Sequence, residues 1–325
     1  MFTRDVLRID AARVAEQIQE RVREQVLGTL RRRGAVVGMS GGIDSSVVAA
    51  LCTRALGPDR VVGLLMPERD SSDDALRLGR ALAEHLAIRH LVEDVGPPLE
   101  ALGCYRRQLE AIRTVFPEYG EGWRCKLTLP PLLDRDRLNV TVLKVVDPDG
   151  VERSSRLPAG AYLQIVAATN FKQRVRTVME YYHADRLNYA VAGTPNRLEY
   201  DQGFFVKQGD GAADLKPIAH LYKTQVYALA EHLGVPEEIR SRPPTTDTFS
   251  FSQTQEEFYF GLPYREMDLC LVAHDRRTPP ADLAAVLGLT VEQVERVYRD
   301  IEAKRRASQY LHQGPLLASE RQGAG

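Results

Sequence analysis

Residues 38–46 read Gly38-Met39-Ser40-Gly41-Gly42-Ile43-Asp44-Ser45-Ser46, directly after the apolar run Ala35-Val36-Val37 and before Val47-Val48-Ala49-Ala50-Leu51. A β-branched run, a glycine pair and then a helix-compatible run form a strand–loop–helix signature. The glycines let the backbone turn tightly and bring its N–H groups to an anion with no Cβ in the way. The helix behind the loop adds its unpaired N-terminal amides and the positive end of its dipole. Ser40, Ser45 and Ser46 supply further donors. Asp44 is the odd member, because a carboxylate repels phosphate. It fits beside a bridging Mg²⁺, which takes hard oxygen ligands from protein and phosphate together. A lone Gly-Gly would read as a capped surface turn; the flanking strand and helix favour the anion site.

The loop is neither a G-x-x-x-x-G-K-[ST] phosphate loop nor a G-x-G-x-x-G dinucleotide fingerprint. It resembles the pyrophosphate loop of the N-type ATP pyrophosphatases. That resemblance implies cleavage of ATP between its α and β phosphates, with adenylation of a substrate. It fixes a reaction class and leaves the substrate open.

Outward from the loop, strand and helix signals alternate. Asp10 is placed to cap a first helix whose Val14, Ile18, Val22 and Val26 recur every four residues. Strands follow at 35–39, 61–66 and 89–95, with a helix started by Ser71 or Ser72 between the last two. This rhythm predicts an α/β fold, a doubly wound parallel sheet with helices on both faces. Ligands in such sheets bind beyond the C-terminal strand ends, where the Ser-Gly-Gly loop lies.

Residues 116–168 break the rhythm. Leu138–Val146 and Val151–Leu157 flank Asp147-Pro148-Asp149-Gly150, a turn signal, and predict an inserted β-hairpin. The only tryptophan, Trp123, stands here beside Arg124 and Lys126, a set suited to a planar anionic acid. A helix over 161–185, a strand at 189–193 and a helix from Tyr222 to Gly234 restore the alternation, and the C-terminal region reads as helical. The expected organisation is one domain over 1–312 carrying the insert, then a flexible tail over 313–325.

The 325 residues are 44% hydrophobic and 27% charged, with a formal net charge of −1. No apolar run reaches membrane-spanning length. The N-terminus leads into a charged amphipathic segment and not a signal peptide. Near-zero net charge disfavours nucleic acid as a partner. A helix–turn–helix-like stretch, Leu283–Val294, has Thr290 and Gln293 as a capping box, but Glu292, Glu295 and Asp300 would repel phosphate. Cys52, Cys104, Cys125 and Cys270 form no C-x-x-C pair, which points to reduced thiols in a cytoplasmic protein.

A second set of motifs narrows the reading. Asn170-Phe171-Lys172-Gln173-Arg174-Val175-Arg176 lies on a helix, and Gly193-Thr194-Pro195-Asn196-Arg197-Leu198-Glu199 leaves a strand. Gly209-Asp210-Gly211-Ala212-Ala213-Asp214, Leu221-Tyr222-Lys223-Thr224-Gln225-Val226 and Pro243-Pro244-Thr245-Thr246-Asp247 follow. Singly these are ordinary: helical arginines are usually solvated, and aspartates in Gly-rich loops usually form turns. In this order, with the Ser-Gly-Gly loop, they resemble the ammonia-dependent NAD synthetase family over about residues 10–115 and 165–305.

The resemblance implies an adenine-nucleotide alpha-hydrolase-like fold and the amidation of deamido-NAD through an acyl-adenylate. Ser40, Gly41, Gly42, Asp44, Ser45 and Ser46 match the family's ATP loop. Arg176, Thr194, Lys223 and Thr245 match groups at the nucleotide, and Asp44 and Glu199 match the Mg²⁺ carboxylates. Asp44, Lys223 and Arg176 carry the catalytic expectation. Asn170, Arg174, Lys207, Asp210 and Asp214 match the acid-dinucleotide site. Lys304 matches a basic position in a C-terminal segment covering that site. The family also implies a homodimer, with Ile165, Val166, Val175 and Met179 offered as the apolar face. The chain has no room for a glutaminase domain of about 250 residues, so ammonia is expected free or from a separate glutaminase. The departures, namely the insert, Asn-Arg-Leu-Glu at 196–199, Ala303 and the segment 248–260, all fall on the acyl-substrate side. They leave open an amide ligase of specialised metabolism acting on another carboxylic acid.

Overall fold

Two apolar runs of the N-terminal half, the mixed edge segment Arg89-His90-Leu91-Val92 and one apolar run from the centre pair into a four-stranded, all-parallel sheet in a computed structural model. The structure describes residues 2–130, 132–133, 141–245, 249–251 and 253–318. The strands are β1 (Ala35–Gly38), β2 (Val61–Leu65), β3 (Arg89–Val92) and the later β7 (Ala190–Ala192), in the order β3-β2-β1-β7. The chain therefore moves outward from β1 through β2 to β3 and returns to the other side of β1. The switch point, where such sheets open a crevice, lies between β1 and β7. Its floor is the Ser-Gly-Gly loop after β1 and Gly193-Thr194 after β7.

Strand side chains alternate between faces, and each face of the sheet has its own cover. Ala35, Val37, Val61 and Leu65 pack with α1 (Ala11–Arg23), α2 (Ile43–Leu56), α3 (Asp73–His85) and the later α8 (Lys223–Leu233). Val36, Val62, Leu64 and Val191 face α6 (Ala159–Leu187) through Ala184. The predicted caps hold: Asp10 accepts from Arg13 N at 3.1 Å and Ser72 from Ala75 N at 3.3 Å. α4 (Gly96–Ala101) and α5 (Cys104–Arg113) complete the first half, α5 lying against α6.

The insert is larger than the predicted hairpin. β5 (Val142–Val146) and β6 (Glu152–Arg156) form that hairpin around Asp147–Gly150, whose Gly150 takes a positive φ. A third strand, β4 (Arg124–Thr128), pairs antiparallel with β5. The beginning of the predicted strand, 138–140, lies outside the described residues, as do 319–325 of the expected tail. Residues 313–318 carry no helix or strand.

Beyond β7 come α7 (Arg197–Gln202), α9 (Glu237–Arg240) after α8, then α10 (Tyr264–Asp275), α11 (Pro280–Leu287) and α12 (Val291–His312). The last three form a helical cluster that also buries Phe2, Leu7 and Leu198. Thr290 and Gln293 do form the capping box at α12. The basic run after it is paired with acids: Lys304 with Asp300, Arg305 with Asp201 and Asp275. All four cysteines are buried and free. Among the described residues no helix is long and apolar enough to cross a membrane.

The proposed dimer face needs correction. Ile165 and Val175 are buried within the chain, Met179 packs beside Val95 and Leu99, and Val166 lines the central cavity. α6 instead exposes Leu163, Val178 and Tyr182. Placed by 100° per residue, these three fall within about 100° of one another, next to the buried Val175.

Candidate active site

A cavity of about 520 Å³ opens at the C-terminal ends of β1 and β2. Its floor is the loop after β1. Gly41 holds φ +74°, and a Cβ there would stand 2.7 Å from the Ala75 carbonyl oxygen, so only glycine fits. Gly42 is the N-cap of α2 and has no side chain to satisfy the first helical amides, which leaves them for an anion. Ser45 Oγ accepts from Ser40 N at 3.3 Å and lies 3.2 Å from Ser40 Oγ. Ser46 is buried and donates to Gly42 O at 2.8 Å, so it shapes the loop from behind.

Asp44, in the first turn of α2, meets groups from two later elements. Its Oδ1 accepts from Asn196 Nδ2 at 3.1 Å, and its Oδ2 accepts from Lys223 Nζ. Lys223 is fully buried at the start of α8. Its ammonium stays charged: burial alone would lower its pKa, but Asp44 and Glu199 raise it above the ordinary lysine value. Asp268 of α10 fixes that helix start by accepting from Lys223 N, Thr224 N and Thr224 Oγ1, so a remote carboxylate does the work of an N-cap.

Glu199 is held by a capping box at α7. Its Oε2 accepts from Asn196 N at 3.2 Å, and its Oε1 from Gln255 Nε2 at 2.9 Å. Burial, with the Asp44 charge adding to it, pushes Glu199 up to about 7, against the pull of Lys223. Two enclosed carboxylates that repel each other, facing a cavity, suit a divalent cation. Magnesium takes one or two carboxylates with phosphate oxygens and water, so the absence of a three-acid cluster among the described residues is compatible with it.

α6 lines one wall with Tyr162, Val166, Thr169, Asn170, Lys172, Gln173, Arg176, Thr177 and Glu180, one face at helical spacing. Arg176 Nε donates to Met66 O at 3.3 Å. Burial raises Glu180 to about 8, with Asp210 adding and Arg176 opposing. Thr194, Thr245 and Asp210 also line the cavity, and burial carries Asp210 up to about 6.

Four expected substrate residues lie outside that lining. Arg174 points one position off the α6 cavity face and donates to Lys207 O. Lys207 Nζ is spent on Tyr310 O and Gln313 O. Asp214 accepts from Val191 N at 2.8 Å, pinning its loop to β7. Lys304 pairs with Asp300 and donates to Tyr259 O. Trp123 and Arg124 are corrected too. Trp123 sits against Tyr119 and under Arg153, and Arg124 lies over Phe251, with neither in the cavity. The insert reaches the cavity through Leu127, Leu129 and Thr141 instead. Lys172, Glu180, Gln255 and Asp268 were missed. Helical spacing from Asn170 and Arg176 could have found Lys172 and Glu180; nothing local marks the other two.

The profile of the NAD synthase family matches residues 14–114 and 143–309. This chain belongs to that family. It is 65% identical over 97% of its length to the NH(3)-dependent NAD(+) synthetase of Mesorhizobium japonicum, 99% of which is covered. It is 57% identical to the protein so named in Rhizobium meliloti, over 98% of this chain and 95% of that one. Among solved structures, an NMN synthetase from Francisella tularensis superposes with a TM-score of 0.65 over 96% of this chain and all of that one. At 22% identity that likeness shows the fold alone. The family profile passes over 115–142, the stretch that holds β4.

Proposed function

We propose that this NAD synthase family member is an ammonia-dependent NAD⁺ synthetase: deamido-NAD + ATP + NH₃ → NAD⁺ + AMP + pyrophosphate. The observation that carries the reading is the meeting of the Ser40–Ser46 loop with Lys223, Asp44 and Glu199 in one cavity. The identity to curated relatives that bear this name supports the substrate.

In this reading the amides and hydroxyls of Ser40, Gly41, Gly42 and Ser45 take the phosphates of ATP, and Ser46 holds the loop in shape behind them. Thr194 and Thr245 contact the nucleotide. Asp44 and Glu199 would hold Mg²⁺, which supplies charge neutralisation on the phosphates when bound. The substrate carboxylate oxygen attacks the α-phosphorus, and the bond to the bridging oxygen of the β,γ-pyrophosphate breaks. Lys223 and Arg176 stand where negative charge gathers on the departing group, in an enclosed site where such charges act strongly. Ammonia then attacks the acyl carbon, a proton is lost, and AMP leaves. Asn170 and Asp210 contact the acid dinucleotide from the cavity wall. Arg174, Lys207, Asp214 and Lys304 act as its outer rim or as supports of the loops that bear it.

Ammonia arrives free or from a separate glutaminase. The protein works in the cytoplasm, as a homodimer joined through the exposed α6 stripe of Leu163, Val178 and Tyr182. Residues 1–312 form the catalytic domain, 116–168 being its insert and 313–325 its tail. Labelled pyrophosphate tests the first half-reaction. Its exchange into ATP is expected to require deamido-NAD and no ammonia. Exchange without the acid, or none with it, would remove the acyl-adenylate.

A further inference from the structure

Lys172 stands one helical turn before Arg176 on α6 and is 1% exposed. Its Nζ lies 3.0 Å from Glu68 Oε1 and 2.6 Å from Asp70 Oδ2. Both acids belong to the segment 66–72 between β2 and α3, whose Met66, Pro67 and Ser71 line the cavity. Glu68 is closed in from the other side. Its Oε2 accepts from the Tyr105 hydroxyl at 2.8 Å and from Asp70 N at 3.1 Å. Arg69 stacks 3.7 Å over the Tyr105 ring and lies 3.7 Å from Asp70.

Segment 66–72 has neither helix nor strand to fix it after β2. α6 grips it twice, by Arg176 on Met66 O and by Lys172 on Glu68 and Asp70. An ammonium and two carboxylates are costly to bury, and apolar side chains of similar volume would pack as well. What ions supply that apolar packing does not is directional bonding at stated atoms, and every Glu68 oxygen is used. The geometry therefore points to a positioning device. We propose that Lys172, with Glu68, Asp70 and Tyr105, locks the 66–72 segment against α6 and so sets the shape of the cavity wall that receives ATP. This rests on the reading of the cavity as an ATP site.

Two variants test it in the full chain. Lys172→Met/Glu68→Gln removes opposed charges together and leaves Asp70 beside Arg69. Asp70→Asn is milder, keeps the Lys172–Glu68 pair, and carries the test if the double variant does not fold. Amide hydrogen exchange over 66–72 is expected to quicken about tenfold in the double variant, and less in Asp70→Asn, with β1 and α2 unchanged. KM for ATP is expected to rise about tenfold while kcat and KM for the acid stay within about threefold. Wild-type exchange over 66–72 in a folded variant would overturn the tether. Faster exchange with an unchanged KM for ATP, or equal changes for both substrates, would overturn its link to the ATP wall. Exchange needs no substrate, so it stands if the wild-type protein proves not to use ATP, a result that would instead defeat the functional reading.

Discussion

At the scale of single residues, the site is a problem of charge held out of water. Lys223 is a buried ammonium between two carboxylates, and its cost is met by Asp44 and Glu199. Lys223→Met is therefore expected to lower kcat by about 10²–10³-fold, the scale seen when one donor to a developing anion is lost. Asp44→Asn and Glu199→Gln are expected to remove most activity, with excess Mg²⁺ restoring neither; near wild-type kcat in either would refute the carboxylate pair. Glu199, at about 7, holds its proton in competition with a cation. More Mg²⁺ is thus expected for half-maximal rate at pH 6 than at pH 8. Glu180 gives a stability test. Its folded pKa of about 8 exceeds the ordinary carboxylate value, so between the two the folded state keeps a proton that the unfolded chain releases. Stability falls as pH rises through that window. Glu180→Gln is expected to gain in melting temperature over the wild type at pH 8 and to gain less at pH 5; an equal shift at both would show that Glu180 does not titrate there.

At the scale of elements, what could be read in the chain was what local sequence dictates. The β1 loop and α2 follow from nine consecutive residues, and the Asp147–Gly150 turn from four. The α6 cavity face follows from helical spacing. What escaped depends on meetings between distant segments. Lys172 and Glu68 are 104 positions apart, and Asp268 caps a helix 45 positions before it. Neither leaves a local mark. β4 escaped because Arg124–Thr128 is short and mixes charged with apolar residues. As the sole tryptophan, beside two cations, Trp123 reads as a ligand platform, yet its ring packs on the insert itself. Trp123→Ala is accordingly expected to cost about 1–3 kcal/mol of stability. Both KM values should stay within about twofold. A selective rise in the KM for the acid would return Trp123 to the site.

At the scale of the molecule, the strand order sets the place of the cavity. The switch between β1 and β7 brings an N-terminal loop and central motifs to one crevice, and α6 runs from the insert across it. The same helix turns Leu163, Val178 and Tyr182 outward. Light scattering at micromolar concentration is expected to show a dimer, and Val178→Glu to weaken it; a monomeric wild type would remove that assembly. The most direct measurement is turnover of the purified protein with deamido-NAD, ATP, Mg²⁺ and ammonium, with all products quantified. The account predicts NAD⁺, AMP and pyrophosphate in equal amounts, and no AMP release beyond background when the acid is omitted. Formation of ADP and phosphate in their place, or no NAD⁺ while another carboxylic acid is amidated, would contradict it.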